Sequence, residues 1–148
     1  MEVRAPRAED EVAWRQLWAQ YVAFYNDDVP EAATARTWDR ILTGEDGFVG
    51  RIVEHDGTVC GFAVIIIHAG SWTVSPVGYL EDLFVAEDAR GTGAGWALMD
   101  DVMALARTNG WSRVYWHTRA DNTAARRLYD RYVAADDFVR YRVVLDER

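Results

Sequence analysis

Tyr79-Leu-Glu-Asp-Leu-Phe-Val-Ala-Glu-Asp-Ala-Arg-Gly-Thr-Gly-Ala-Gly95 is the stretch whose reading decides the fold. A β-prone apolar run stops at an acidic loop, becomes Arg-Gly-x-Gly-x-Gly, and passes at once into the helical pattern Trp96-Ala-Leu-Met-Asp-Asp-Val-Met-Ala-Leu-Ala106. Strand, glycine turn and helix in that order gather backbone N–H groups and a helix N-terminus at one point, which suits a phosphate or pyrophosphate. Glycine serves there because a Cβ would hold the backbone away from the anion and because such turns call for positive φ. Two common phosphate loops are excluded. A Walker loop needs Gly-Lys-Ser/Thr, and all 16 basic residues of this chain are arginine. A dinucleotide fingerprint needs G-x-G-x-x-G early in a parallel βαβ unit, with an acid about twenty residues on. Here the spacing is Gly91-x-Gly93-x-Gly95, it falls past mid-chain, and the next strand pattern, Arg113 to Thr118, ends without that acid.

Working outward, 148 residues suffice for one domain over 1–148, long enough to bury roughly two-thirds of its unfolded surface. Half the residues are apolar and seven are tryptophan, which excludes a disordered chain. A net charge of −8 argues against nucleic acid, whose phosphates need a basic face. It suits a cationic substrate, and equally a merely soluble surface. The single cysteine, Cys60, excludes an internal disulfide and reads as an inert core thiol in a reducing compartment. Glu9, Asp10, Glu11 and Arg15 interrupt the N-terminus, so it does not read as a signal peptide. The longest apolar run, Phe62 to Ile67, is too short to cross a bilayer. These features predict a cytoplasmic protein without a membrane partner.

Val3-Arg4-Ala5 predicts a short first strand. Trp14, Leu17, Trp18, Tyr21, Phe24 and Tyr25 fall at helical spacing, and a second helix over about Glu31 to Thr43 has Trp38, Ile41 and Leu42 as its apolar side. Phe48 to Glu54 and Thr58 to His68 read as a hairpin around Asp56-Gly57, with Val64-Ile-Ile-Ile67 in a strand buried on both faces. The Tyr79–Val85 strand follows, then the glycine turn and a helix to about Thr108, stopped by Asn109-Gly110. After the Arg113–Thr118 strand, Asp121-Asn122-Thr123 offers N-caps for a helix through Tyr132. A last strand, Phe138 to Leu145, is predicted to close the chain. The order β-α-α-β-β-β-α-β-α-β describes an α/β (α+β) single domain: a mixed sheet with helices on both faces.

A second motif, Asp121-Asn122-Thr-Ala-Ala125-Arg-Arg-Leu128-Tyr129, begins its N-x-x-A-x-x-L-Y part 27 residues after Gly95. With Arg90-x-x-Gly93-x-Gly95 it resembles the GNAT family of N-acetyltransferases over essentially the whole chain. Leu80-Glu-Asp-Leu-Phe-Val85 and Tyr21-x-x-Phe24-Tyr25…Trp38 are similar to the branch of polyamine, thialysine and yeast Hpa-type enzymes. One departure stands out: Tyr132-Val-Ala-Ala-Asp-Asp-Phe138 is longer than the family's usual Gly-Phe and lacks its glycine. The resemblance implies acetyl-CoA as cosubstrate, held by Leu83, Phe84, Val85, Arg90, Gly91, Thr92, Gly93, Ala94, Gly95, Asn122 and Ala125. It leaves a homodimer open, as members are commonly dimers. His55, His68 and His117 lack metal-ligand spacing, so no metal is expected, and His117 reads as structural.

Acetyl transfer to an amine sets three demands. The amine must lose a proton, and Glu81, on the strand entering the turn, is the candidate base; holding a cation without taking its proton is the other reading. Asp82, on regular alternation, should face the opposite side. The developing oxyanion needs a donor, which the resemblance assigns to the backbone N–H of Leu83 or Val85. The departing thiolate benefits from a proton, and the resemblance assigns that to Tyr129. From periodicity alone, Tyr129 belongs to a packing stripe with Ala125, Leu128 and Tyr132. Asn122 reads as a contact to the cofactor arm or a helix cap, and Arg90 as a phosphate contact or a loop flank. The acceptor is expected to be a small-molecule amine such as a polyamine or amino acid, with a protein lysine also open. Asp27, Asp28 and Glu31 read as an acidic rim or a solvated loop. The rival from another class is a non-catalytic acyl-CoA-binding sensor or degenerate partner subunit.

Overall fold

A computed structural model describes residues 1–145. The chain divides into two compact units, Met1–His117 and the segment from Thr118 onward, and each is described by itself.

The first unit is a five-stranded sheet in the order β1-β2-β3-β4-β5. Its strands are β1 (Glu2–Arg4), β2 (Phe48–His55), β3 (Thr58–His68), β4 (Val77–Val85) and β5 (Val114–Tyr115). The first four pair antiparallel and β5 runs parallel to β4, so the sheet is mixed. Asp56 (φ 52°) and Gly57 (φ 77°) both lie in the left-handed region, as a two-residue hairpin turn with right-handed strand twist requires.

Helices α1 (Glu11–Phe24) and α2 (Glu31–Thr43) cover one face, and α3 (Ala94–Asn109) the other. The register makes this explicit. Ile52, Phe62 and Phe84 sit opposite one another on adjacent strands, and the rings of Trp14, Trp18 and Tyr21 from α1 pack on Phe62 at centroid distances of 5.7–6.0 Å. Gly50 shares that face, and a Cβ there would lie 2.7 Å from the Cβ of Ile41; the missing side chain lets α2 lie flat on β2. Arg51 points the other way and forms a two-pronged ion pair with Asp101 of α3 (2.7 and 2.9 Å). Ala94, Leu98, Met99, Val102 and Ala106 are the buried side of α3.

The α2 stripe differs in one place from the predicted one. Leu42 is exposed, whereas Thr34 is buried and its hydroxyl accepts a hydrogen bond from the Trp18 indole at 3.1 Å. A threonine can face a tryptophan N–H that leucine would leave without an acceptor. Cys60 is buried, and burial pushes its thiol pKa up, as expected of a core thiol. Among the described residues no helix is long and apolar enough to cross a membrane.

Arg4 ties β1 to the rest through Asp10 (2.8 and 3.0 Å) and Glu54 (3.0 Å), with side chains of Arg4 and Asp10 only 10% and 6% exposed. Arg4→Met should therefore destabilise the fold by about 3 kcal/mol, because it leaves a buried carboxylate without its cation. Urea denaturation at pH 7 measures this, and a loss under about 1 kcal/mol would show the cluster to be solvated in effect.

In the second unit, α4 (Thr123–Tyr129) is shorter than the predicted helix through Tyr132. The strand predicted over Phe138 to Leu145 is not formed: the described residues there enter no ladder, and Phe138, Val139, Tyr141, Val143, Val144 and Leu145 are exposed. Strand propensity expresses fit to a neighbouring pleated surface, so a favourable pattern without ladder bonds stays irregular. The strand predicted over Arg113–Thr118 also contracts, to Val114–Tyr115, since its pairing with β4 ends at Tyr79↔Tyr115.

Candidate active site

The register of β4 against β3 holds the main local feature. Tyr79 faces Ile66 and Leu80 faces Ile65, but Val64 faces Asp82; Glu81 is skipped. Such a bulge inserts one residue and re-aims side chains. Alternation from Tyr79 puts Glu81 on the α1 face, and alternation from Phe84 puts Asp82 on the same face. The expectation that Asp82 faces away from Glu81 is thus corrected, and the reason is that the strand is not regular at this point.

The two carboxylates differ in surroundings. Glu81 is exposed, yet nearby protein displaces part of its hydration and raises its pKa. Asp82 accepts a hydrogen bond from the Tyr21 hydroxyl of α1 at 2.7 Å. Burial pushes its pKa up to about 7, the charge of Glu81 adds to the rise, and the Tyr21 hydrogen bond opposes it. Among the described residues, neither carboxylate enters an ion pair. Tyr21 was legible in sequence only as part of an apolar stripe; no pattern marked its hydroxyl as the partner of Asp82.

Beyond the bulge, the Ala86 N–H donates to the Cys60 carbonyl of β3 at 2.8 Å. Alternate strand amides point to opposite edges. Leu83 and Val85 therefore direct their N–H groups to the other edge of β4, past its last pair with β5. Phe84, between them, is buried on the α1 face. The Leu83 and Val85 amides are those that the family resemblance assigned to the oxyanion.

A short turn over Glu87–Ala89 leads to the glycines. Gly91 (φ 82°) and Gly93 (φ 96°) both occupy the left-handed region, and a Cβ at either would meet only open space. Gly93 caps α3: its carbonyl accepts from Ala97 N–H at 2.9 Å, so the first-turn amides, Ala94 and Gly95 among them, lack an intrahelical acceptor. Open space in front of positive-φ glycines, at the start of a sixteen-residue helix, fits a pyrophosphate. Thr92 closes the turn, its hydroxyl donating to the Ala89 carbonyl at 2.5 Å, and Ala94 is buried. Arg90 folds back over β4. Its guanidinium lies 5.7 Å from the Phe84 ring centroid and 5.8 Å from that of Phe24, and it donates to the Val85 carbonyl at 3.3 Å.

Asn122 caps α4, its side-chain oxygen accepting from the Ala125 N–H at 3.2 Å. Tyr129 ends that helix and is half-buried. His117 accepts from or donates to the Tyr79 hydroxyl at 3.3 Å, within a group where Tyr79 stacks on Tyr115. Of the three residues read as an acidic rim or a solvated loop, Glu31 is paired with Arg15 at 2.7 Å, and Asp27 and Asp28 are exposed. Among the described residues no cluster of His, Cys, Asp and Glu has the makings of a metal site.

A mixed sheet that bulges at a carboxylate and then feeds an open glycine turn on a helix N-terminus agrees with an α/β domain of the acetyltransferase class. The chain belongs to the Acetyltransferase (GNAT) family, whose model matches residues 12–133. It is therefore an N-acetyltransferase by class, in a family whose acetyl donor is acetyl-CoA. It is 33% identical over 142 residues to the D-amino-acid N-acetyltransferase HPA3 of Saccharomyces cerevisiae, covering 95% of this chain and 88% of that one. A crystal structure of a probable acetyltransferase superposes with a TM-score of 0.86 at 21% identity, covering all of both chains. AAC(6')-Iy in complex with the bisubstrate analogue CoA-S-monomethyl-acetylneamine superposes with a TM-score of 0.77 at 23% identity, over 99% of this chain and 97% of that one. These two structural likenesses are of fold.

Proposed function

We propose that this protein transfers the acetyl group of acetyl-CoA directly to the primary amine of a small cationic molecule, in the cytoplasm. The observation that carries the reading is the order along β4: an exposed carboxylate of raised proton affinity at the bulge, then outward-facing amides, then an open glycine turn. Gly91, Gly93 and the first-turn amides of α3 hold the pyrophosphate. The Leu83 and Val85 amides receive the carbonyl oxygen as it gains charge. Glu81 takes a proton from the ammonium, directly or through water, and the neutral nitrogen attacks the thioester carbon. The C–S bond breaks and Tyr129 gives its hydroxyl proton to the sulfur. The raised pKa of Glu81 brings the base closer to working pH than an ordinary glutamate. Polyamines, amino acids and protein lysines are the acceptor classes this site chemistry admits. The name of the yeast relative adds D-amino acids to the panel.

Thiol release from acetyl-CoA, followed colorimetrically across polyamines, L- and D-amino acids, aminoglycosides and a lysine peptide, tests this reading. Amine-dependent release is expected. Saturable acetyl-CoA binding with no amine-dependent release in any class would favour the sensor. The loop has its own test. Gly93→Val puts a β-branched residue at φ 96° and aims methyl groups into the space a pyrophosphate would take. Acetyl-CoA affinity should fall by roughly tenfold or more, about 1.4 kcal/mol, with the circular dichroism spectrum retained. Unchanged affinity by calorimetry would remove the pyrophosphate reading.

A further inference from the structure

The mechanism above leaves Asp82 without a role, although its position is an expensive one for a charge. Its carboxyl is desolvated, lies on the same face as a second carboxylate, and among the described residues enters no ion pair with a guanidinium. Asparagine would accept the Tyr21 hydrogen bond equally well and avoid the repulsion, so structure alone does not call for an acid. Neighbouring carboxyls in unlike environments are driven to titrate apart, one holding a proton while the other is ionised.

Among the described residues, these groups are placed against Asp82. From α1 comes Tyr21, whose ring meets that of Tyr25 edge-on at 5.2 Å. Across the ladder β3 presents Val64, and along β4 stands Glu81. Arg90, the cation over Phe84 further along the strand, donates to the Val85 carbonyl.

We propose that Asp82, oriented by Tyr21, is a positioning residue for the base: it relieves Glu81 of the proton that Glu81 draws from the amine. This rests on the reading of Glu81 as the base. The steps balance without a co-reactant. The ammonium N–H bond breaks as an O–H bond forms on Glu81. That proton then passes to the Asp82 carboxylate, restoring ionised Glu81, and leaves to water after the product departs. Asp82 must begin ionised, so turnover should rise as Asp82 loses its proton, near neutral pH. An ionised Asp82 also raises the proton affinity of Glu81 through their repulsion.

The test pairs two measurements on the full chain. One is the carboxyl carbon-13 NMR titration of aspartate-labelled protein without substrate. The other is the pH profile of kcat/KM for whichever amine of the panel turns over fastest. In the wild type the Asp82 signal and the acidic limb of the profile should titrate together. Tyr21→Phe removes a donor that stabilises the ionised form, so both should move up together, by about one pH unit. Asp82→Asn should shift the limb to lower pH and reduce kcat by about tenfold on the alkaline plateau. A limb that neither variant moves, or an NMR titration that moves while the limb stays, would overturn the proposal. If Glu81→Gln has wild-type kcat/KM at neutral pH, the base reading itself fails, and the Asp82 proposal falls with it; a limb lost only in the Asp82 variant cannot be mistaken for that.

Discussion

Glu81→Gln should lower kcat/KM by roughly 100-fold at pH 7, and the deficit should shrink as pH rises. The physics is that of the acceptor. An alkylamine with pKa near 10.4 lies about 3.4 pH units from deprotonation at pH 7, which amounts to about 4.6 kcal/mol. An enzyme with a base meets the abundant ammonium form and removes its proton in the site. The Gln variant must wait for amine that arrives neutral, a population that grows about tenfold per pH unit until the amine titrates. Plotted against pH, the two profiles should converge toward pH 10. A cation anchor behaves otherwise: Gln then weakens binding through KM, with kcat intact, and added salt narrows the difference. A defect confined to KM and abolished by salt would sink the base assignment and leave the acetyltransferase class standing.

Glu81 sits at a bulge that nothing in the sequence announced. The extent of α2, the end of α3, the Asp56-Gly57 hairpin and the glycine turn were legible because each is enforced locally, by periodicity or by residues that tolerate positive φ. Leu80-Glu-Asp-Leu carries neither glycine nor proline to mark an inserted residue. The register shift at Glu81 arises from matching β3 on both sides of it, which is a property of two strands and not of one. Asp82 was consequently placed on the wrong side, and Tyr21 was read as part of a stripe. The same logic accounts for the C-terminal segment, where alternation over Phe138–Leu145 promised a strand and strands exist only in ladders. What the sequence conveyed well was the family and the turn geometry, both carried by residue type at fixed spacing. What it conveyed poorly was chemistry created when a side chain from α1 meets one from β4.

The bulge also ties the two halves of the site in the first unit to one strand. An extra residue at Glu81 re-aims a carboxylate and, one residue later, restores the alternation that sends the Leu83 and Val85 amides to the free edge. Removing the insertion would return Asp82 to the opposite face by the two-residue period, and so separate it from both Glu81 and Tyr21. The carboxylate pair is therefore a consequence of register.

Tyr129→Phe should reduce kcat by about 100-fold while leaving acetyl-CoA affinity nearly unchanged. The substitution keeps the ring and removes only the hydroxyl, so packing of this half-buried side chain is preserved. The competing view is that Tyr129 is one member of an Ala125, Leu128, Tyr129, Tyr132 stripe, and all four of these residues are half-buried. α4 ends at Tyr129, and Tyr132 lies in the turn beyond, its N–H donating to the Tyr129 carbonyl at 2.9 Å. A seven-residue helix has about two turns, so packing and proton donation must be separated by experiment. If its hydroxyl protonates the departing thiolate, the Phe variant must expel sulfur as a free anion or recruit water. The loss should then appear in the chemical step of single-turnover reactions. Thioesters with more acidic thiols need the proton less, so a donor of that kind should recover much of the rate in the variant. A variant with wild-type single-turnover kinetics, or one equally slow with both donors, would return Tyr129 to a packing role.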